Sequence, residues 1–282
     1  MILNEENLFL IILAFIWIIG SVFQDLKRRE VDNIWNFSLI FFALGYRFAV
    51  SVFNMNYWFF INGLLGFFVF LILGNVFYYS RVFAGGDAKL LISLGAILPL
   101  SYDWMINLKI FGLFVFLVLG AGAFYVLVWS FFLVFLNFDK FKKEFKKQFQ
   151  NYKIISSVFF VFLLFVFLLL VLLGKTEFAL ASLVFIFFPL LFVFAKSVEE
   201  SCMVKLLSKD KITEGDWLYK DIVVNGRLIK ANWEGISKKE LNLIKRYYKK
   251  KVLIKQGIPF TPGFFFGFLI LVVVLWKYWI RF

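Results

Sequence analysis

Residues 108–136 read LKIFGLFVFLVLGAGAFYVLVWSFFLVFL and contain one charged residue, Lys109. Because a helix needs roughly 20 apolar residues to cross about 30 Å of hydrocarbon, this stretch predicts a membrane span. Of the 282 residues, 62% are hydrophobic and only 17% are charged. A soluble domain could not bury that much apolar surface, so the composition indicates a membrane protein.

Seven further segments have the apolar character of a span. With the first stretch, the predicted spans are about 8–23, 34–53, 57–79, 89–100, 108–136, 154–173, 178–195 and 260–276. The fourth is short and contains Gly95 and Pro99. The predicted fold is an all-α polytopic membrane protein of about eight transmembrane helices with a small α+β cytoplasmic domain.

The basic residues indicate the orientation of these spans. All but five of the 31 Lys and Arg lie in the segments 24–33, 80–89, 137–153 and 196–259. Since cytoplasmic loops are enriched in Lys and Arg, we expect these four segments to be cytoplasmic and the N-terminus to lie outside. The protein is thus predicted to be a multi-pass protein of the cell membrane.

One long segment, residues 196–259, has the composition of a soluble domain. Asn225-Gly226, flanked by apolar residues, predicts a type I′ hairpin, and Ser237 with Glu240 predicts a capping box that opens a helix. The predicted domains are a transmembrane core of residues 1–195, with its catalytic part at about 8–135 and a basic cytoplasmic loop at 137–153; a small cytoplasmic α+β domain of residues 196–259; and a C-terminal transmembrane helix within 260–282.

The basic segment 137–153 allows two interpretations. Phe residues at 138, 141, 145 and 149 alternate with lysines, which favours an amphipathic helix on an anionic inner leaflet. A solvated positive-inside loop fits equally well. With a formal net charge of +13, we expect contact with anionic membrane lipid and not with nucleic acid.

Missing residue types restrict the chemistry. The chain has no His and a single Cys, Cys202, which excludes Ser-His and Cys-His nucleophiles, His-ligated zinc and an intramolecular disulfide. We therefore expect no metal and no cofactor. Any hydrolytic chemistry would depend on residues such as Asp and Glu.

Two aspartates are predicted at one face of the membrane. Asp25 follows the first span and Asp87 precedes the fourth, both at cytoplasmic ends. Two neighbouring carboxylates cannot both ionise easily, so one can activate a water while the protonated one polarises a carbonyl. The alternative is that both aspartates are ordinary interfacial charges.

Residues near these aspartates have possible supporting roles. Gly85-Gly86 would allow positive φ and close approach of an extended substrate in a loop beside Asp87. Lys89 would either tune the acidity of Asp87 or anchor the fourth span to headgroups. Arg47, late in the second span, is predicted to snorkel outward or to pair with a buried acid.

Two motifs resemble those of a known family. Residues 25–33 (DLKRREVDN) and 84–91 (AGGDAKLL) are similar to the paired motifs of type IV prepilin peptidases, and in particular of the archaeal preflagellin (prearchaellin) peptidases. The resemblance covers roughly residues 8–135, with a looser likeness at 214–217 and 257–260. The family's GxGD pattern would place Gly at position 84, where this chain has Ala84.

The resemblance implies a GxGD-type aspartic endopeptidase with Asp25 and Asp87 as its catalytic dyad. Its substrates would be prepilin-like or preflagellin precursors, cut between a short basic leader and an apolar helix. Glu30 and Asp32 are hypothetical leader contacts, or partners of the nearby basic residues. The four-Cys loop of bacterial relatives is absent, so no methyltransferase activity is expected.

Two other classes remain as alternatives. Another GxGD-type intramembrane protease would usually carry Tyr before the first Asp, where this chain has Gln24. A transporter or assembly-platform protein would predict internal repeats and midplane charges.

Overall fold

The structure is a computed structural model that describes residues 4–279. The chain divides into two compact units. The first comprises the residues up to 127 together with those from 258 onward, and the second comprises residues 128–257.

The first unit is helical. Its helices are α1 (Glu5–Arg28), α2 (Asn33–Phe53), α3 (Trp58–Tyr79), α4 (Gly85–Gly95), α5 (Trp104–Leu136, of which 128–136 fall in the second unit) and α10 (Thr261–Trp279). The buried core joins apolar residues of all these helices, among them Ile18, Phe70, Leu94, Phe114 and Phe268. The short α4 is the most enclosed, since its apolar residues from Leu90 onward face protein on nearly every side.

Within residues 4–279, six helices are long and apolar enough to cross a membrane. They correspond to six of the predicted spans, which confirms the polytopic fold. A seventh, shorter apolar helix is α10.

The fourth predicted span does not match the structure. Residues 85–95 form an 11-residue helix of about 16 Å, and the chain from Ala96 to Ser101 continues without regular structure. Gly95 and Pro99 end the helix before it could cross.

The second unit combines helices with two small sheets. Its elements are α6 (Phe138–Leu172), α7 (Thr176–Leu183), α8 (Phe188–Cys202), β1 (Val204–Leu207), β2 (Trp217–Leu218), β3 (Ile222–Val224), β4 (Arg227–Ile229), α9 (Lys238–Tyr247) and β5 (Val252–Lys255). An antiparallel sheet has the order β1-β5-β2. The hairpin β3-β4 turns at Asn225-Gly226, both with positive φ, and Ser237 and Glu240 form the capping box of α9. Both local predictions are confirmed.

The basic segment 137–153 is helical and continuous with the following span. The 35 residues of α6 extend over about 52 Å. The rings of Phe141, Phe145 and Phe149 form a row along one side, with centroids 5.5 and 6.3 Å apart. The segment is therefore helical, as the first interpretation expects, while its cytoplasmic position and its contact with anionic lipid stay predictions.

The position of Arg47 also differs from the prediction. Its side chain is fully buried and donates hydrogen bonds to the carbonyl oxygens of Phe59, Ala96, Ile97 and Pro99 at 2.7–3.0 Å. It neither snorkels outward nor pairs with an acid. The guanidinium satisfies the carbonyls of the irregular chain after α4, which have no partner within a helix.

Candidate active site

Asp25 lies in the last turns of α1 and is 7% exposed. Its Oδ2 accepts hydrogen bonds from the backbone N–H and the hydroxyl of Thr261, at 3.2 and 2.9 Å. Thr261 is the first residue of α10. The residue at the end of the first span is thus held by the start of the last helix.

Asp87 is the third residue of α4, where an acid is favoured by the positive end of the helix dipole. The backbone of Ala84, directly before α4, also favours the charged form of this carboxyl. Ala84 has extended backbone angles (φ −68°, ψ 162°), so the departure from glycine at this position introduces no strain.

Gly85 and Gly86 do not form the expected loop with positive φ, because they are the first two residues of α4. Gly86 packs against the chain that follows α1: a Cβ there would lie 3.6 Å from the backbone nitrogen of Val31. The amide of Asn36 on α2 donates to the carbonyl of Gly86 at 3.4 Å. Gly85 and Gly86 therefore allow close packing at the start of the helix that carries Asp87.

Aromatic contacts link the segments that carry the two acids. The ring of Phe83, directly before Ala84, packs against Phe260 and Phe264 at 5.2 and 5.6 Å. These two rings flank Thr261, the hydrogen-bond donor to Asp25. The starts of α4 and α10 and the end of α1 therefore meet in one place.

The two carboxylates interact electrostatically. Asp87 precedes the buried part of α4 and lies outside the six spanning helices. The residue as a whole is half-buried, and protein encloses its carboxyl group. Burial, and then the negative charge of Asp25, raise the pKa of Asp87 to about 8. Such a pair favours a state in which one carboxyl is protonated and the other is ionised.

The three charged residues with hypothetical supporting roles lie at the edge of this site. Lys89 donates from Nζ to Oδ1 of Asn33 at 2.6 Å. Asp32 forms an exposed ion pair with Arg28 at 2.7 Å, and Glu30 is exposed. None of these contacts tests whether Lys89 tunes the acidity of Asp87 or whether Glu30 and Asp32 bind the leader, so these roles stay predictions.

Sequence reasoning missed Thr261 as a neighbour of Asp25. The two residues are 236 positions apart, and nothing in the local pattern pairs them. The available signal was Thr261-Pro262 before an apolar run, which is typical of a helix start with exposed N–H donors.

Fold and site together define a multi-pass helical membrane protein with a paired-aspartate site. Residues 11–138, which carry both aspartates, match the Type IV leader peptidase family. The resemblance drawn from the two motifs is confirmed.

Two curated relatives are similar to the chain. A preflagellin peptidase of Methanococcus maripaludis is 35% identical over 130 residues, which cover 43% of this chain and 54% of the relative. A preflagellin peptidase of Methanocaldococcus jannaschii is 34% identical over 82 residues, covering 29% and 34%. The chain thus spans about half or less of the relatives it matches. No solved structure gives a significant match to the chain.

Proposed function

We propose that the protein is an aspartic endopeptidase that removes the leader peptide from preflagellin-like or prepilin-like precursors at the cytoplasmic face. The observation that carries the proposal is the proximity of the segments that hold Asp25 and Asp87, within residues that match the Type IV leader peptidase family. The names of the two relatives support a preflagellin as the precursor.

The two aspartates have different environments, which suggests their roles. Asp25 accepts hydrogen bonds that stabilise a carboxylate, whereas burial keeps the proton on Asp87. In the proposed reaction Asp25 takes a proton from a water whose oxygen attacks the scissile carbonyl carbon, and Asp87 donates its proton to the carbonyl oxygen. As the tetrahedral intermediate collapses and the C–N bond breaks, the leaving amine takes the proton held by Asp25, a hydroxyl of the intermediate returns its proton to Asp87, and a new carboxyl end forms.

The orientation follows from the distribution of basic residues. The last turn of α1 carries Lys27 and Arg28, two and three residues after Asp25, and by the positive-inside rule these charges support a cytoplasmic position for this end. The experiment that tests the function uses purified protein in liposomes with a tagged preflagellin precursor. Mass spectrometry should find one cut between the leader and the apolar helix. An uncleaved precursor, over a range of leaders, would contradict the proposal.

The pH dependence of cleavage should reflect the raised pKa of Asp87. If Asp87 must be protonated, kcat/KM should fall as pH rises through about 8, approaching a tenfold loss per pH unit. The sign follows because the acid form is the one lost at high pH. The measurement is a pH–rate profile in liposomes with one precursor peptide. A flat profile up to two units above the Asp87 pKa would show that this carboxyl does not act as the acid.

An open apolar groove next to the site could receive the apolar helix of the precursor. Its volume is about 880 Å³, and it lies between α2, α3 and α4, where its lining includes Phe41, Gly45, Leu71 and Ala88. Ala88 directly follows Asp87, so a helix in this groove would pack against the helix that carries the acid. We propose that the precursor helix docks here.

Filling the groove should weaken cleavage without harming the fold. A Cβ at Gly45 meets no atom within 4 Å, so Gly45→Phe places a ring in open groove space. We expect KM to rise about tenfold or more, equivalent to about 1.4 kcal/mol of lost binding. Gly112→Phe is the matched control, because Gly112 is also helical and open but does not line the groove. Equal KM values for the two variants would rule out docking at this surface.

A further inference from the structure

The start of α10 provides hydrogen-bond donors for the carboxylate of Asp25. Thr261 is fully buried, and its two donors, the backbone N–H and the hydroxyl, address a single oxygen, Oδ2. The first N–H groups of a helix have no intrahelical acceptor, and they carry the positive end of the helix dipole. A carboxylate at this position satisfies the donors and is itself stabilised by charge-assisted hydrogen bonds.

Close packing fixes α10 in this position. A Cβ at Gly263 would lie 2.6 Å from the Cα of Gly122 on α5, and one at Gly267 would lie 2.7 Å from the Cα of Val118. Small residues spaced four apart let two membrane helices approach at backbone distance. The donors of Thr261 are therefore held by a rigid helix pair and not by a loop.

The two acids differ in how their carboxylates are supported. Among the described residues, Asp25 accepts hydrogen bonds from both donors of Thr261, whereas for Asp87 only the backbone of Ala84 favours the charged form. Hydrogen bonds to the charged form of a carboxyl group favour its ionisation. This asymmetry therefore leaves the single proton of the pair on Asp87 and keeps Asp25, which contacts α10, ionised.

We propose that Thr261 is a positioning residue that holds Asp25 ionised and oriented as the general base, with Oδ2 bound to α10 and Oδ1 directed to the attacking water. The inference rests on the proposed peptidase function and deepens it. It gives the C-terminal helix, which lies outside the family-matched residues 11–138, a part in the active site.

Removal of the hydroxyl tests this role. Thr261→Val keeps the shape and the backbone N–H but loses one donor. We expect kcat to fall about tenfold or more, and the acidic limb of the pH–rate profile to move about one unit toward higher pH. Thr261→Ser restores the hydroxyl and should restore both values. Ser197→Ala, which removes a buried hydroxyl bonded only within α8, is the control and should leave the profile unchanged.

The other charged or titratable groups that act with Asp25 are unchanged in these variants. They are Arg29 on its own helix, Asp87 on α4 and Tyr125 on α5. A shift of the acidic limb in Thr261→Val, absent in Thr261→Ser, is therefore due to the lost hydroxyl. If Thr261→Val does not fold, Thr261→Ala removes the same donor without introducing bulk.

Two failures can be told apart. If the wild type cleaves and both hydroxyl-free variants cleave with the wild-type profile, the role of Thr261 is wrong and the peptidase function stands. If the wild type cleaves no precursor, the function is wrong.

In that case infrared difference spectroscopy still measures the ionisation of Asp25 without substrate, and the variant Asp25→Asn assigns its band. An unshifted titration in Thr261→Val would overturn the positioning role as well.

Discussion

Asp25→Asn and Asp87→Asn should each lower the rate of precursor cleavage at least about 1000-fold, a loss typical of residues that act as a catalytic unit. Asparagine has nearly the same shape as aspartate but can neither take a proton from water nor donate one as a carboxylic acid. The measurement is the initial cleavage rate in liposomes at equal amounts of inserted protein.

Stability separates this result from a folding defect. Asp87→Asn replaces a carboxyl whose charged form is disfavoured by burial, so the free energy of unfolding should stay the same or rise slightly, whereas Asp25→Asn weakens the charge-assisted hydrogen bonds from Thr261 and should lower it by about 1–2 kcal/mol. Asp103→Asn is the matched control, because Asp103 is an exposed acid whose Oδ1 accepts the Met105 N–H, a contact that asparagine retains. Normal cleavage by either Asp25→Asn or Asp87→Asn would refute the assigned dyad.

Arg47→Met should give the largest loss of stability among these variants. It would leave three buried carbonyl oxygens of the irregular chain after α4, those of Ala96, Ile97 and Pro99, without the guanidinium donor, and it would also remove the bond to the Phe59 carbonyl. An unsatisfied buried acceptor costs about 1–3 kcal/mol, so we expect a loss of at least about 3 kcal/mol in the free energy of unfolding. Titration with a denaturing detergent in mixed micelles measures this quantity.

Two further variants make the Arg47 result specific. Arg47→Lys should also be strongly destabilised, since a compact ammonium cannot reach four carbonyls as a planar guanidinium does. Lys109→Met removes an exposed cation and should change the free energy by less than about 0.5 kcal/mol. A stability of Arg47→Met close to that of Lys109→Met would show that the buried network contributes little.

The sequence predicted features that depend on local patterns. Apolar length located the spanning helices, Asn225-Gly226 predicted its hairpin because both residues tolerate positive φ, and Ser237 with Glu240 predicted the capped start of α9. The charge distribution also predicted that Asp25 and Asp87 lie at one cytoplasmic face, and this orientation stays a prediction.

The sequence could not predict features that depend on distant partners. Arg47 was assigned from general behaviour of membrane arginines, but its acceptors exist only because the chain after Gly95 leaves its helix and exposes carbonyls within the core. Gly85-Gly86 was interpreted as a loop because glycine permits one, yet its place at the start of α4 depends on packing against Val31. Thr261 meets Asp25 only through the packing of α10.

The most direct test of the central claim compares Asp25→Asn, Asp87→Asn and the double variant with the wild type in one cleavage assay. If the two carboxylates act as one dyad, each single variant should lose nearly all activity, and the double variant should be no slower than the slower single variant. If the losses instead multiply, or if one single variant retains most of its activity, the two aspartates do not form a catalytic pair.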